Sequence, residues 1–108
     1  MTMQPQGRVN VPVSGTPTPL SADPTARCAH LQIQVIPGLT GKIFVGSPTM
    51  NTATLAGVVR ILWPNTSGGI SDSWEMESHA DEDNLWLNQY AIDAGVSGEG
   101  ALITWWAE

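Results

Sequence analysis

Apolar side chains recur at every second position through much of this chain. Val9, Val11 and Val13 share one face of a short stretch, and Ala29, Leu31, Ile33 and Val35 share another against His30, Gln32 and Gln34. A period of two sends successive side chains to opposite faces, so each stretch predicts a half-buried strand. Within a predicted strand over 70–78, Trp74 and Met76 alternate in the same way with Glu75 and Glu77. Val58 to Trp63 is a continuous, β-branched apolar run, which predicts a strand buried on both faces. Ile43 and Val45 flank Phe44 in a further short strand, and residues 85–92 and 101–106 supply the last two.

Turn chemistry separates these runs. Ser14-Gly15, Pro37-Gly38, Gly46-Ser47-Pro48 and the stretch 64–69 each stop a strand, and 49–56 is polar and small enough to read as a loop. Pro12 removes a ladder donor and favours a sheet edge. Residues 17–20 form a short continuation of the first strand, Gly95, Gly98 and Gly100 read as turn glycines, and 81–86 could open with one helical turn. About seven short strands with turn signals every eight to twelve residues or so predict an all-β domain: a small antiparallel β-sandwich or jelly-roll-like barrel. Residues 1–7 are polar and aperiodic, which predicts an N-terminal arm ahead of a single domain over 8–108.

Composition narrows the partners. Charged residues make up 13% of the 108 residues, against about 25% in a typical soluble domain, and Thr, Ser, Asn, Gln, Gly and Pro fill the gap. Such a surface suits extended protein contacts, because few ions must be stripped of water on docking. The net charge of −6, with only Arg8, Arg27, Lys42 and Arg60 as cations, argues against nucleic acid. The single cysteine, Cys28, cannot form an internal disulfide and sits in a β-patterned run where a small buried hydrophobe is expected. No apolar run reaches the length of a membrane span, and the opening residues lack a signal peptide's basic and apolar regions, so a soluble, cytoplasmically made chain is expected.

The residue types that carry chemistry are present without the spacing that chemistry needs. Asp72, Glu75, Glu77, Asp81, Glu82 and Asp83 could offer oxygens to Ca²⁺, but the turn glycine and terminal glutamate of an EF-hand loop are missing, and a solvated acidic face accounts for them. A glycosidase pair built on Glu75 or Glu77 would need an enclosed cleft that nothing in the pattern suggests. Cys28 and His30 are expected on one face of one strand, with no Asn or Asp placed to orient the imidazole, and His79 belongs to no metal-spaced motif. The glycines at 95, 98 and 100 precede a strand, so they make no phosphate loop. The reading is therefore of a protein with no catalytic, cofactor or metal residues.

Five tryptophans remain: Trp63, Trp74, Trp86, Trp105 and Trp106. Adjacent strand residues point to opposite faces, so Trp105 and Trp106 cannot both fill the core, and the outward one is a candidate anchor for a neighbour. The expected partner contacts are the arm (Met1, Thr2, Met3, Gln4, Pro5, Gln6 and Gly7) together with Trp105 and Trp106. Exposed indoles would equally suit stacking on a sugar.

The order of features from residue 8 to 106 resembles the small β-sandwich structural proteins of tailed-bacteriophage virions. The likeness is carried by Arg8-Val-Asn-Val-Pro-Val-Ser-Gly-Thr-Pro-Thr-Pro-Leu-Ser, by Cys28-Ala-His-Leu-Gln-Ile-Gln-Val, by Ile43-Phe-Val-Gly46, and by Ile92-Asp93 with Gly98-Glu99-Gly100 ahead of the last strand. The segment 70–86 is longer and richer in tryptophan than that pattern. The resemblance implies a virion component. With the low charge content, it leads to the expectation of a non-enzymatic capsid decoration or cement protein bound to the major capsid protein or another virion protein, itself homo-oligomeric, with no nucleic-acid or membrane partner. The alternatives are a tail or head-to-tail connector protein and a carbohydrate-binding host-attachment module.

Overall fold

The computed structural model describes residues 2–23, 25–36, 39–65, 71–77 and 85–107. Among the described residues ten strands follow one another: β1 (Thr2–Asn10), β2 (Thr18–Pro19), β3 (Arg27–Cys28), β4 (His30–Val35), β5 (Ile43–Asn51), β6 (Ala56–Leu62), β7 (Ser73–Glu77), β8 (Leu85–Trp86), β9 (Ala91–Ala94) and β10 (Gly100–Ala107). A 3₁₀ turn, Leu87–Gln89, separates β8 from β9.

The pairing follows one rule. β1 pairs with β10, β2 with β9, β3 with β8, β4 with β7 and β5 with β6, all antiparallel, so each strand meets the one equally far from the other end of the series. The chain is thus one long ribbon doubled back at the β5–β6 hairpin. Two further antiparallel pairings, β10 with β4 and β5 with β9, roll the ribbon onto itself. The result is sheet I, in the order β1-β10-β4-β7, and sheet II, in the order β2-β9-β5-β6, with β3 and β8 as a two-stranded bridge. This is an all-β antiparallel sandwich with the strand order of a jelly roll.

Alternation along the strands builds the core between the sheets. Leu31, Ile33 and Val35 of β4 and Ala101 and Ile103 of β10 face Ile43 and Val45 of β5 and Ile92 of β9, all at most 1% exposed. Full burial of such a side chain is worth about 1.5–3 kcal/mol, so the alternating positions fix which face of each strand turns inward. Cys28 lies in the same core, as expected. A second, smaller cluster sits on the outer face of sheet II. β5 arches between Gly46 and Asn51, where its register against β6 slips, and Met50 packs with Phe44 and Ala91, with Val58 and Ile61 beside them.

Several sequence expectations change. Residues 2–7, expected as an arm ahead of the domain, form most of β1 and are hydrogen-bonded along β10, because a strand lying at a sheet edge needs a partner's backbone more than an apolar stripe of its own. Residues 49–51 prolong β5 instead of starting a loop. Of the run 58–63, expected to be buried on both faces, 58–62 belong to edge strand β6 and Trp63 lies just past its end; Val59 is 62% and Trp63 57% exposed, and only Leu62 is buried. The expected strand 85–92 is interrupted by the 3₁₀ turn. Gly100, read as a turn residue, opens β10 opposite Asn10. The alternation over 73–77 stands as expected, with Trp74 and Met76 packed against the core and the two glutamates outside.

Candidate interaction faces

Sheet edges are the first surfaces on which another chain could add a strand, and each of the four edges of sheets I and II is blunted here. β1 carries Pro5, which has no N–H to offer, and a bulge between Pro5 and Gly7 where Gln6 has no partner on β10 and Gly7 takes φ 88°. β2 is two residues long. β6 bulges at Val59, since Arg60 faces Val45 while Val58 faces Gly46. β7 presents Glu75 and Glu77, whose charges discourage a neighbouring strand. The broad outer faces are left as the surfaces for contact.

The outer face of sheet I is built by the side chains that alternate with the core. Leu102, Thr104 and Trp106 of β10 lie between Arg8 of β1 and His30, Gln32 and Gln34 of β4, with Glu75 and Glu77 of β7 beyond. Trp106 faces His30 directly across the strands, and their rings meet edge-on with centroids 4.6 Å apart. His30 sits between the glutamates: Nδ1 is 3.1 Å from Glu77 Oε1, in hydrogen-bond range, while Nε2 lies 3.3 Å from Glu75 Oε2 without hydrogen-bond alignment. At the opposite edge the Arg8 guanidinium bonds Asn10 Oδ1. This face therefore runs from a cation at β1 through an apolar centre, where Leu102 is 40% exposed, to two carboxylates at β7.

The two groups of expected contact residues converge here. Backbone pairing sets Thr2 opposite Ala107, Met3 opposite Trp106, Gln4 opposite Trp105 and Pro5 opposite Thr104. Trp105 and Trp106 do point to opposite faces: Trp105 packs against the core and Trp106 lies outside, part-covered by His30. Met1 lies outside the described residues.

The most exposed tryptophan is one that sequence reasoning passed over. Trp63, just beyond the end of β6, is 57% exposed on the outer face of sheet II. Its backbone is pinned at both polar groups, since its N–H donates to Asp72 Oδ2 at 3.0 Å and its carbonyl accepts from Asp72 N at 3.1 Å. Lys42 reaches between two rings of this face, its Nζ 5.1 Å from the Trp63 centroid and 5.5 Å from that of Phe44. The signal available in the sequence was the Pro64 that follows, which ends the strand at the tryptophan and leaves it at the rim of the sandwich. The remaining indoles are part-buried. Trp86 lies under the Arg27 guanidinium at 5.3 Å, and Trp74 lies under that of Arg60 at 5.9 Å, a contact that joins the edges of the two sheets.

The residue types considered for chemistry are scattered. Cys28 is in the core while His30 is on the outer face, because Ala29 is buried as well and the alternation breaks there. His79 and residues 81–83 lie outside the described residues, and Asp72, Glu75 and Glu77 make the contacts given above. Among the described residues no group of three or more His, Cys, Asp and Glu side chains is gathered as a metal cage, and no helix is long and apolar enough to cross a membrane. Among the described residues Asp93 is the buried carboxylate. It is 1% exposed, its Oδ1 accepts from Gly15 N at 3.1 Å and Ala94 N at 2.8 Å, and its Oδ2 has no hydrogen-bond partner. The contacts of Ser14 with Ala94 O and Ser97 Oγ fix the 11–16 turn over it. Comparison with protein-family models, curated proteins and solved structures found no match to the chain.

Proposed function

We propose that this chain is a non-enzymatic structural protein of a tailed-bacteriophage virion, a decoration or cement protein that seats where major capsid subunits meet and holds them together. The observation that carries the reading is a jelly roll with blunted edges and a tryptophan on each broad outer face, Trp106 on sheet I and Trp63 on sheet II. Two adhesive faces on one small body suit a staple. Once one face is attached, binding by the other is intramolecular, so modest contacts sum to strong attachment. Jelly rolls recur in capsid proteins, and the sequence resemblance points the same way.

The test is attachment to heads that lack the protein. Leu102→Glu places a charge at the apolar centre of the sheet I face without touching the core, and should weaken attachment at least tenfold, because that charge must be desolvated on docking. Full attachment of both Leu102→Glu and Trp63→Ser, or a copy number of a few dozen or fewer per particle, would set the cement reading aside; low copy number would favour a tail or connector position. Carbohydrate binding is the second reading, favoured by the exposed Trp63 ring and by the use of jelly rolls in lectins. It expects glycans to quench tryptophan emission in the wild type and not in Trp63→Ser.

A further inference from the structure

We propose that the outer face of sheet II of one molecule docks on the outer face of sheet I of a second copy of this chain. The inference deepens the adhesive reading above and rests on its premise that the broad faces make the contacts, but it concerns the protein by itself.

The two faces are unlike in charge and alike in apolar character. On sheet II the apolar surface of Ile61 and Phe44 continues into the exposed Trp63, and Lys42 lies among them as the cationic side chain. Asp72 is close by, with one carboxylate oxygen already held by the Trp63 N–H. On sheet I the exposed Leu102 and the part-covered Trp106 lie beside Glu75 and Glu77. Facing sheet II with sheet II covers Trp63 but leaves the glutamates of sheet I without a cation. Facing sheet I with sheet I can set Arg8 opposite the glutamates, but it leaves Lys42 and the exposed Trp63 without a partner. The crossed arrangement alone opposes Lys42 to the glutamates while the indole of Trp63 covers the apolar centre of the other face.

The geometry has an architectural result. A front-to-back contact is heterologous, so a pair still presents one face of each kind at its two ends, and assembly proceeds to a closed ring or an open stack depending on the rotation between neighbours. The blunted edges have their place in this, since they steer association away from strand addition and onto the faces.

The experiment is sedimentation velocity on the purified full chain over a wide concentration range at low and high salt. The wild type should shift from the 11.5 kDa monomer to larger species as concentration rises, and added salt should weaken the shift. Trp63→Ser and Lys42→Glu, both at surface positions, should each move the association midpoint at least tenfold higher while leaving the thermal melt near wild type. Glu75→Lys with Glu77→Lys should do the same, and combining that pair with Lys42→Glu should restore association. A monomer at all concentrations overturns the proposal, as does association indifferent to Trp63→Ser. Sensitivity to Trp63→Ser with no rescue by the charge exchange overturns the crossed arrangement in favour of a two-fold contact of sheet II with itself. Because no particle enters the measurement, failure here leaves attachment to heads to be judged by its own assay.

Discussion

Gly98 and Gly100 stand two residues apart in the sequence and are required for different reasons, which makes their substitution a sharp test of the fold. Gly100 pairs with Asn10 at one end of the β1–β10 ladder. A Cβ there would overlap the carbonyl oxygen of Val9 and lie 2.8 Å from both Asn10 Cα and the Val9 carbonyl carbon. All three are backbone atoms, so relief requires β1 to move away from β10. Movement weakens the adjacent ladder bonds, at about 0.5–1.5 kcal/mol each, and loosens Val11, which is buried beside them and bonded through its N–H to Glu99 O. Overpacking strain adds about 1–3 kcal/mol. Gly100→Ala should therefore cost about 3 kcal/mol, roughly 12 °C in the melting temperature of a domain this size. Gly98 has nothing within 4 Å of an added Cβ, but its φ is +87°. Gly98→Ala should cost about 1 kcal/mol for the left-handed conformation, and Gly98→Asn less, since asparagine tolerates that region. Urea unfolding followed by tryptophan emission measures all three. A Gly100→Ala melting within about 2 °C of wild type, or a Gly98→Ala more damaging than Gly100→Ala, would refute the close approach of the first and last strands.

Three further outcomes are expected. Asp93→Ala leaves the N–H groups of Gly15 and Ala94 without their acceptor and should cost about 2 kcal/mol in chemical denaturation, whereas Asp93→Asn keeps the accepting oxygen, replaces the unpartnered Oδ2 with an amide, and should cost less than half of that. Glu99→Ala removes the carboxylate that accepts from Thr40 N, Thr40 Oγ1 and Gly41 N at 2.8–3.3 Å, so amide exchange at Thr40 and Gly41 should accelerate about tenfold while the β10 amides keep their protection. The Thr25 hydroxyl and then the Thr25 N–H hold the Asp23 carboxyl below the ordinary carboxylate range. Its small contribution to stability is present above the unfolded value and lost as pH falls through the folded one, and Thr25→Ala should raise the Asp23 pKa seen by NMR titration.

What could be read from the sequence was whatever one strand decides alone. The alternation of Leu31, Ile33 and Val35 with His30, Gln32 and Gln34 named the inward face of β4, and the same logic put Trp105 and Trp106 on opposite faces without naming the inward one. What could not be read was set by neighbours. Residues 2–7 carry no apolar rhythm and are strand because β10 is beside them; Val58 to Leu62 carries a buried strand's composition and is exposed because β6 has a neighbour on only one side. The exposure of Trp63 went unread for the same reason, since it follows from sheet order. The close approach at Gly100 is likewise a property of the β1–β10 pair, invisible in a local Gly-Glu-Gly pattern.

The doubled-back ribbon also sets the order in which the molecule can be made. β5 and β6 are joined by a short turn and can close as soon as both exist, whereas β1 must wait for the eight residues of β10 before it has a partner. β10 is moreover an interior strand of sheet I, between β1 and β4, so sheet I remains split until residues 100–107 have been made. Folding of this kind is expected to be slow and to leave apolar strand faces open on the ribosome. A chain cut short just before residue 100 would hold all four strands of sheet II and nothing to join β1 to β4 in sheet I.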